Sequence, residues 1–486
     1  MIRAYRIVLL LSIVSAINGF GRQGTSVDTL LVASDSAQRF TLDDLFSVVV
    51  AHHPVARQAS LLSESARQEL RLARGSFDPK VQMQYLVKQN EGVEYYRILN
   101  GSLKVPTRIA IDPAIGIEQN RGAYLNPERY IGAPSDYTQL YAGVSMPVGR
   151  GLFIDERRAA LNQAELMRGL NEAEQIKLIN KLLLEAAKEY WNWFYATANY
   201  QLILRNRQIA LDIMSRIKTS YTYGEVSQID TVQASITFQQ RSIELMEASV
   251  ELENARLALS TYLWDSTGYP VQLTGRHVPA YEPEKDAWLT LEQVNELREN
   301  ALENHPDIRK ISIKIRQLEV DRRLAAEFLK PDLNLSYYFL NKPFDYSGLN
   351  NDRWGDNYKF GVDFAMPLFL RKERSKLALA KLKIANSTYE RTGTQRNIQV
   401  EIDQAYNRLV TLRQVIGSQQ TMVASYDRIV KAELMNLTEG ESDLFKINVQ
   451  LEKLLQSQSK LLKMLSELEK EKVYFLWASG VTNLDI

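Results

Sequence analysis

The chain has 486 residues, a formal net charge of +1 at pH 7 and 45% hydrophobic residues. This composition allows a large buried core, and the near-neutral charge gives no indication of nucleic-acid binding or of a polybasic membrane anchor. Because the chain contains no cysteine, we expect no disulfide, no cysteine-bound metal and no lipid-modified N-terminal cysteine.

The first residues predict a secretory signal peptide, residues 1–20. Arg3 and Arg6 precede an apolar run from Ile7 to Ile17, and small residues follow it. This order is typical of a signal peptide, and the apolar run is too short to span a bilayer. No later stretch offers about twenty consecutive apolar residues, so we expect an exported mature chain without a transmembrane helix.

The mature chain is predicted to be a duplication. One opening sequence reaches His53-Pro54 and a similar one reaches His305-Pro306. In both copies the next landmark proline follows 25 residues later, at Pro79 and Pro331. The sequence therefore predicts a first repeat at residues 40–264, a linker at 265–289 and a second repeat at 290–480.

Each repeat contains a segment that is typical of paired β-strands, at about 79–147 and 331–367. Apolar and polar residues alternate there, which predicts strands with one apolar and one polar face. The alternative is that two β-hairpins pack on the helices of the chain itself. We favour a membrane β-barrel, and because four strands cannot close one, the barrel must be shared between protomers. Lys359 and Asp363 are predicted to face the lumen. The predicted lipid-facing residues are Tyr358, Phe360, Val362 and Phe364.

Each repeat then contains a long segment without proline, which predicts a helical hairpin at about 150–264 and another at about 370–478. An arm of the first hairpin would be roughly 100 Å long at about 1.5 Å per residue. On the returning arms, apolar residues follow 3-4 steps that are typical of coiled-coil packing. In the first returning arm these positions include Val232, Ile236, Ile243, Met246, Val250 and Leu257. In the second they include Ile447, Leu454, Leu461, Leu465, Leu468 and Phe475.

With these features, residues 40 to 480 resemble the TolC-like outer membrane efflux proteins. The resemblance rests on the paired openings, on Met-Pro at the end of each strand segment, and on the two hairpin tips. The first tip has Gly224 followed six residues later by Asp230, as in the family, whereas the second has Gly440 followed by Lys446. The resemblance implies a mainly helical fold with two coiled-coil hairpins, and four strands per protomer that complete a trimeric, twelve-stranded β-barrel.

The same resemblance implies a function. Such proteins are homotrimeric outer-membrane exit ducts that dock onto a periplasmic adaptor, which is fed by an inner-membrane transporter. In some relatives an arginine holds the tip closed, but Ser442 and Leu437 occupy the corresponding positions here. The residues that we expect to act in docking or gating are Tyr223, Gly224, Ser227, Asp230, Gly440, Glu441, Ser442 and Lys446.

Other candidate sites have simpler explanations. The aromatic run from Tyr190 to Tyr195 could bind a ligand, but buried packing near the hairpin base explains it better. Acidic residues around Glu441 could line a pore mouth or only start a helix. His52 and His53 are adjacent before a proline, a poor arrangement for binding one metal ion. We expect no catalytic, cofactor or metal site, and the alternative function is an exported coiled-coil scaffold or adaptor without a channel.

Overall fold

The computed structural model describes residues 38–125, 137–281, 290–341, 357–438 and 441–481. The predicted signal peptide lies outside the described residues. The helices are α1 (Leu42–His52), α2 (Pro54–Gly75), α3 (Glu156–Thr222), α4 (Gln228–Ser260), α5 (Leu291–Asn304), α6 (Pro306–Glu327), α7 (Arg371–Thr438) and α8 (Leu444–Ala478). The strands are β1 (Gln38–Phe40), β2 (Lys80–Asn90), β3 (Val93–Lys104), β4 (Asp112–Arg121), β5 (Tyr137–Pro147), β6 (His277–Pro279), β7 (Asp332–Leu340) and β8 (Tyr358–Ala365).

Two helices, α3 and α7, give the molecule its length. They contain 67 and 68 residues, which corresponds to about 100 Å each at about 1.5 Å per residue. The chain then turns back into a shorter helix, α4 after α3 and α8 after α7. Among the described residues, no helix is long and apolar enough to cross a membrane. The predicted fold class, mainly helical with two long hairpins, is confirmed.

The helices form a layer that is four helices wide. Near the sheet, neighbouring helices contact in the order α2, α3, α6, α7, and toward the tips the order is α4, α3, α8, α7. Helices α3 and α7 therefore run through both halves of the layer. In the described part of the chain, α2 and α4 form one side edge of the layer and α7 forms the other.

The packing interpretation of the aromatic run is confirmed. Tyr190, Trp193 and Phe194 are at most 1% exposed, in a core shared with α1 and the base of the hairpins. The Tyr190 hydroxyl donates to the carbonyl oxygen of Phe40 at 2.8 Å and accepts from the backbone N–H of Ala280 at 3.0 Å. Phe40 is the last residue of β1 and Ala280 directly follows β6, and these two strands form a small parallel sheet. The run therefore joins the start of the predicted first repeat to the predicted linker.

Six strands form one antiparallel sheet in the order β2-β3-β4-β5-β7-β8. The pairing of β5 with β7 joins the two predicted repeats. The sequence predicts four strands, whereas this sheet has six. The two additional strands, β3 and β4, form a hairpin inside the first predicted strand segment, at about 79–147, and correct the predicted count. This hairpin is hard to recognise because Arg97, Gly101 and Arg121 interrupt the apolar side of its alternating pattern.

The predicted seam of the second returning arm is confirmed by burial. Ile447, Leu461, Leu465 and Phe475 on α8 are all buried, and α8 packs against both α3 and α7.

The predicted seam of the first returning arm is different. Residues such as Ile236, Ile243 and Val250 on α4 are about half exposed or more. Helix α4 packs through its opposite face, which carries the buried residues Ala234 and Leu252. The physical reason is that α4 lies at a side edge of the helical layer, so only one of its two apolar stripes has a partner within the chain.

Candidate functional site

The two faces of the six-stranded sheet differ in polarity. The register places the alternating apolar residues of all six strands on one face. Val81 and Phe364 on this face are 82% and 66% exposed, whereas Asn120 on the opposite face is 0% exposed. The apolar face includes Val81, Met83, Tyr85, Leu99, Leu103, Ile115, Ile117, Val144, Leu335, Tyr337, Tyr358, Phe360, Val362 and Phe364. The polar face includes Gln82, Gln84, Asn100, Ser102, Glu118, Asn120, Gln139, Asn334, Ser336, Lys359 and Asp363.

The polar face is tied together across its strands. Tyr141 on β5 extends over Gly116 on β4, and its hydroxyl donates to Oδ1 of Asn100 on β3 at 3.1 Å. A Cβ atom at Gly116 would lie 2.3 Å from the Tyr141 ring and 2.7 Å from the carbonyl oxygen of Gly101. Glycine is therefore required at this position because the tyrosine occupies the space of a side chain.

The first hairpin tip is a tight turn followed by a capped helix start. Tyr223 is exposed, and Gly224 has a φ of +73°, which is the left-handed conformation that favours glycine. Ser227 and Asp230 form a capping box at the start of α4: the serine hydroxyl accepts from the aspartate N–H, and the aspartate carboxylate accepts from the serine N–H at 3.0 Å. Asp230 therefore stabilises its own helix in this chain.

The second tip repeats this arrangement in part. Gly440 lies outside the described residues, and so does the side chain of Leu437. Ser442 donates to the carboxylate of Glu433 on α7. Asp443 caps α8 by accepting from the backbone N–H of Lys446 at 2.8 Å, and the ammonium group of that lysine lies 3.7 Å from the same aspartate.

These contacts show what the predicted tip residues do within one chain. The Asp443 carboxylate starts a helix, which was one of the two alternatives for the acidic residues around it. Asp230 and Lys446 each have a partner in their own tip, Ser227 and Asp443. Their pairing across neighbouring arms stays a prediction.

The two tips are held together by a residue that the sequence reasoning missed. Leu444, the first residue of α8, is buried against Ile217 of α3 and Ala234 of α4. Further along, Arg241 on α4 forms ion pairs with Glu244 and with Glu452 on α8. Leu444 starts the 3-4 pattern of α8, so the sequence indicates that its side chain is packed. The pattern does not reveal which helices Leu444 contacts.

An open groove lies beside the first tip, between the last turns of α3 and the first turns of α4. It has a volume of about 640 Å³ and is lined by Lys218, Tyr221, Thr222, Thr231, Val232, Ser235, Ile236 and Gln239. Both polar and apolar side chains line it.

The two histidines that precede proline are helix caps. Nδ1 of His53 accepts from the N–H of Val55 at 3.1 Å, and Nδ1 of His305 accepts from the N–H of Asp307 at 3.2 Å. Burial lowers the pKa of both imidazoles below the usual value. Among the described residues, no group of three or more His, Cys, Asp or Glu side chains is placed to hold a metal ion.

Comparisons with known proteins agree with this fold. Residues 297–472 match the outer membrane efflux protein family, and no curated protein matches the chain. The structure is similar to the outer-membrane channel OprN, with 16% identity, a TM-score of 0.64 and coverage of 90% of this chain and 89% of that chain.

Two further solved structures show the same fold. The Campylobacter jejuni CmeC outer membrane channel has 15% identity, a TM-score of 0.60 and coverage of 96% of this chain and 94% of that chain. The outer membrane protein VceC from Vibrio cholerae has 17% identity, a TM-score of 0.61 and coverage of 90% and 96%. The resemblance drawn from the sequence is confirmed, and the family and the structural neighbours are outer membrane proteins rather than enzymes.

Proposed function

We propose that the chain is one protomer of a trimeric exit duct in an outer membrane, since residues 297–472 match the outer membrane efflux protein family. The duct conducts substrates passively from a periplasmic adaptor and an inner-membrane transporter to the exterior. In this proposal, residues 1–20 direct export, the sheet crosses the outer membrane, and the helical hairpins extend into the periplasm.

The observation that carries the proposal is the division of the sheet into one apolar and one polar face. On the apolar face, large side chains such as Val81, Phe360 and Phe364 are more than half exposed. In water, the solvent would contact these apolar side chains directly. Monomers in water rarely expose such a continuous apolar surface. An outer-membrane barrel has this arrangement, with an apolar exterior and a polar interior.

The open edges of the molecule support a ring of copies. Strands β2 and β8 are the two edges of the sheet. Helix α2 leads into β2 and lies on the same side as α4, while β8 leads into α7 at the other side. The sheet and both halves of the helical layer are therefore open on the same two sides. Identical head-to-tail contacts between such sides generate a closed ring.

Apolar stripes on the two open sides support the same arrangement. Helix α4 exposes Ile236, Ile243 and Val250 at seven-residue steps, and α7 exposes Val415 and Met422 at the same step. A seven-residue step is the repeat of coiled-coil seams. We assign these two stripes to each other, in neighbouring copies of the chain.

The hairpin tips are the proposed site of contact with the adaptor. They lie about 100 Å from the sheet at about 1.5 Å per helical residue, and the groove beside the first tip has a mixed polar and apolar lining. The proposed docking and gating residues are Tyr223, Gly224, Ser227, Asp230, Gly440, Glu441, Ser442 and Lys446.

Two measurements on the purified full-length protein test the proposal. The first is native mass spectrometry from mild detergent, where we expect trimers. The second is conductance in planar lipid bilayers, where we expect discrete channel steps. A protein that remains monomeric in buffer without detergent and forms no channels would instead support the alternative, an exported coiled-coil scaffold or adaptor.

A further inference from the structure

The geometry points to a membrane barrel of eighteen strands, six from each of three copies, in which β3 and β4 cross the membrane beside β2 and β5. This inference rests on the proposed trimeric duct and deepens it. The strand pattern and the family resemblance lead to four crossing strands per copy, whereas the structure places a further hairpin between them.

The hairpin of β3 and β4 has the length of a membrane crossing. These strands contain 12 and 10 residues, and a transmembrane β-strand needs about 9–11. Strand β3 pairs with β2 from Lys80 opposite Lys104 to Asn90 opposite Val93. The added hairpin therefore spans the same height as the strand that leads out of the helical layer.

Both ends of the hairpin are fixed. At the end away from the helical layer, Glu91 and Gly92 form the two-residue turn between β2 and β3, and their φ values of 51° and 79° match the type I′ turn that suits paired strands. At the other end, Asp112, the first residue of β4, lies 3.3 Å from the guanidinium group of Arg157 in the first turn of α3. Strand β4 therefore begins at the level where the helical layer meets the sheet.

At the end near the helical layer, the outward residues of the hairpin continue the apolar face of the neighbouring strands. Leu103 and Ile115 are paired, and Val81 on β2 and Ala142 on β5 lie beside them on the same face. The side chains of Leu103 and Ile115 are both accessible, and Ile115 is 56% exposed. A soluble hairpin that projected beyond the membrane would have no need of this alignment.

The two arginines of the hairpin lie at its end away from the helical layer, toward the turn that joins β2 to β3. Arg97 and Arg121 are opposite each other, and both pair with Glu94, at 2.6 and 3.2 Å. At mid-membrane an arginine would be costly, but at the rim of a barrel the cost falls to a low value. The charges therefore mark the outer rim, and the apolar residues below them mark the crossing.

Strand number also agrees with the width of the helical layer. Twelve helices about 9 Å apart give a ring with a circumference of about 110 Å. Eighteen strands spaced about 4.8 Å apart and tilted by about 40° give about 110 Å as well. An eighteen-stranded barrel thus continues the helical ring at the same width, and barrels of this strand number enclose an aqueous channel.

Closure of such a barrel is geometrically consistent. The six strands alternate in direction along the sheet, so β2 and β8 run in opposite directions. An edge β8 can therefore pair antiparallel with β2 of the next copy. Three copies then complete a barrel with an even number of antiparallel strands, as bacterial outer-membrane barrels have.

The absence of cysteine from the sequence allows a direct test. Single cysteines are introduced in the full-length protein at Leu103 and Ile115 on the apolar face of the hairpin, and at Ser102 and Glu118 on its polar face. Phe360→Cys and Asp363→Cys provide the matched pair on β8. Each variant carries a fluorophore and is reconstituted in vesicles of phosphatidylcholine, with and without a quencher attached to the acyl chain.

We expect acyl-chain quenching at Leu103 and Ile115 to be within about twofold of that at Phe360, and quenching at Ser102 and Glu118 to be as low as at Asp363. Quenching at Phe360 without quenching at Leu103 and Ile115 would overturn the eighteen-stranded barrel and leave the duct intact. Loss of quenching at Phe360 as well would overturn both. Because two positions are labelled on the apolar face of the hairpin, failure of one variant to fold does not remove the test.

Discussion

The hydroxyl group of Tyr141 on β5 donates a hydrogen bond to Asn100 on β3, at 3.1 Å and across the intervening strand β4. Contacts between strands that are not adjacent are possible only where the middle strand has no side chain in the way. Gly116 provides that space. One tyrosine thereby fixes the added hairpin to β5, the strand that pairs with β7.

We predict that Gly116→Ala weakens assembly of the sheet. The new Cβ would lie 2.7 Å from the carbonyl oxygen of Gly101, and backbone cannot move aside as easily as a side chain. Overpacking of this kind costs about 1–3 kcal/mol. The measurement is the urea midpoint of unfolding in detergent micelles. Gly361→Ala is the matched control, because its Cβ would meet only the movable hydroxyl of Ser336. Equal midpoints for the two variants would contradict this account.

We predict opposite tolerance to charge on the two faces of β8. Phe360→Arg places a guanidinium in the lipid and should cost about 2–4 kcal/mol near mid-membrane, whereas Asp363→Arg faces the lumen and should be tolerated. The measurement is the fraction of protein that assembles in the outer membrane of expressing cells. If both variants assembled as well as the wild type, the assignment of the faces would be wrong.

Much of the fold could be predicted from the sequence because its causes are local. The absence of proline and the 3-4 steps of α8 predict long, packed helices, and burial of Ile447 and Phe475 bears this out. The alternation of apolar and polar residues around Phe360 can likewise be recognised within strand β8 alone. These signals are properties of one segment and do not depend on its neighbours.

The parts that the sequence did not reveal depend on neighbours. The stripe of α4 around Ile243 has the same period as a buried seam, and only the position of the helix at a side edge makes it exposed. The β3–β4 hairpin has an apolar face only when its register with β2 is known. Leu444 belongs to a regular pattern, yet its contact with Ile217 depends on how the two hairpins meet.

We predict that stability falls at mildly acidic pH through the histidine caps. Burial lowers the pKa of His305 in the folded chain, so the folded state disfavours its protonation. The contribution is fully present above the unfolded-state pKa of about 6.5, and it is lost as the pH falls from there through the lowered folded-state value.

The test of the histidine caps is the variant His305→Asn, which keeps a capping acceptor that cannot take up a proton. The loss of stability between pH 7.5 and 5 should be smaller in this variant than in the wild type, as measured by thermal unfolding. His52→Asn is the control, because that side chain precedes the capping residue in the last turn of α1. An unchanged pH dependence in His305→Asn would rule out the cap as its source.

We predict that the exposed stripe of α4 holds neighbouring copies together. Ile243→Glu would bury a carboxylate in the proposed contact with α7, at a cost of at least about 1–3 kcal/mol for each contact. The measurement is the proportion of trimer by native mass spectrometry. Ser249→Glu adds the same charge on the same helix away from the stripe, so it should leave the trimer unchanged. Dissociation by both variants, or by neither, would speak against the α4–α7 contact.

The last prediction separates a gating role of Asp230 from its role as a helix cap. Asp230→Ala and Ser227→Ala both break the capping box, and each should cost the start of α4 about 1 kcal/mol. If Asp230 also pairs with Lys446 of a neighbouring arm in a closed state, only Asp230→Ala should make the channel leakier in planar bilayers. The charge swap Asp230→Lys with Lys446→Asp should then restore the low conductance.

Exposed ion pairs are worth only about 0–1 kcal/mol each, so the effect requires several pairs around the ring. Equal leakage from Asp230→Ala and Ser227→Ala would assign it to the cap, and unchanged conductance in all variants would leave the tips as docking surfaces only.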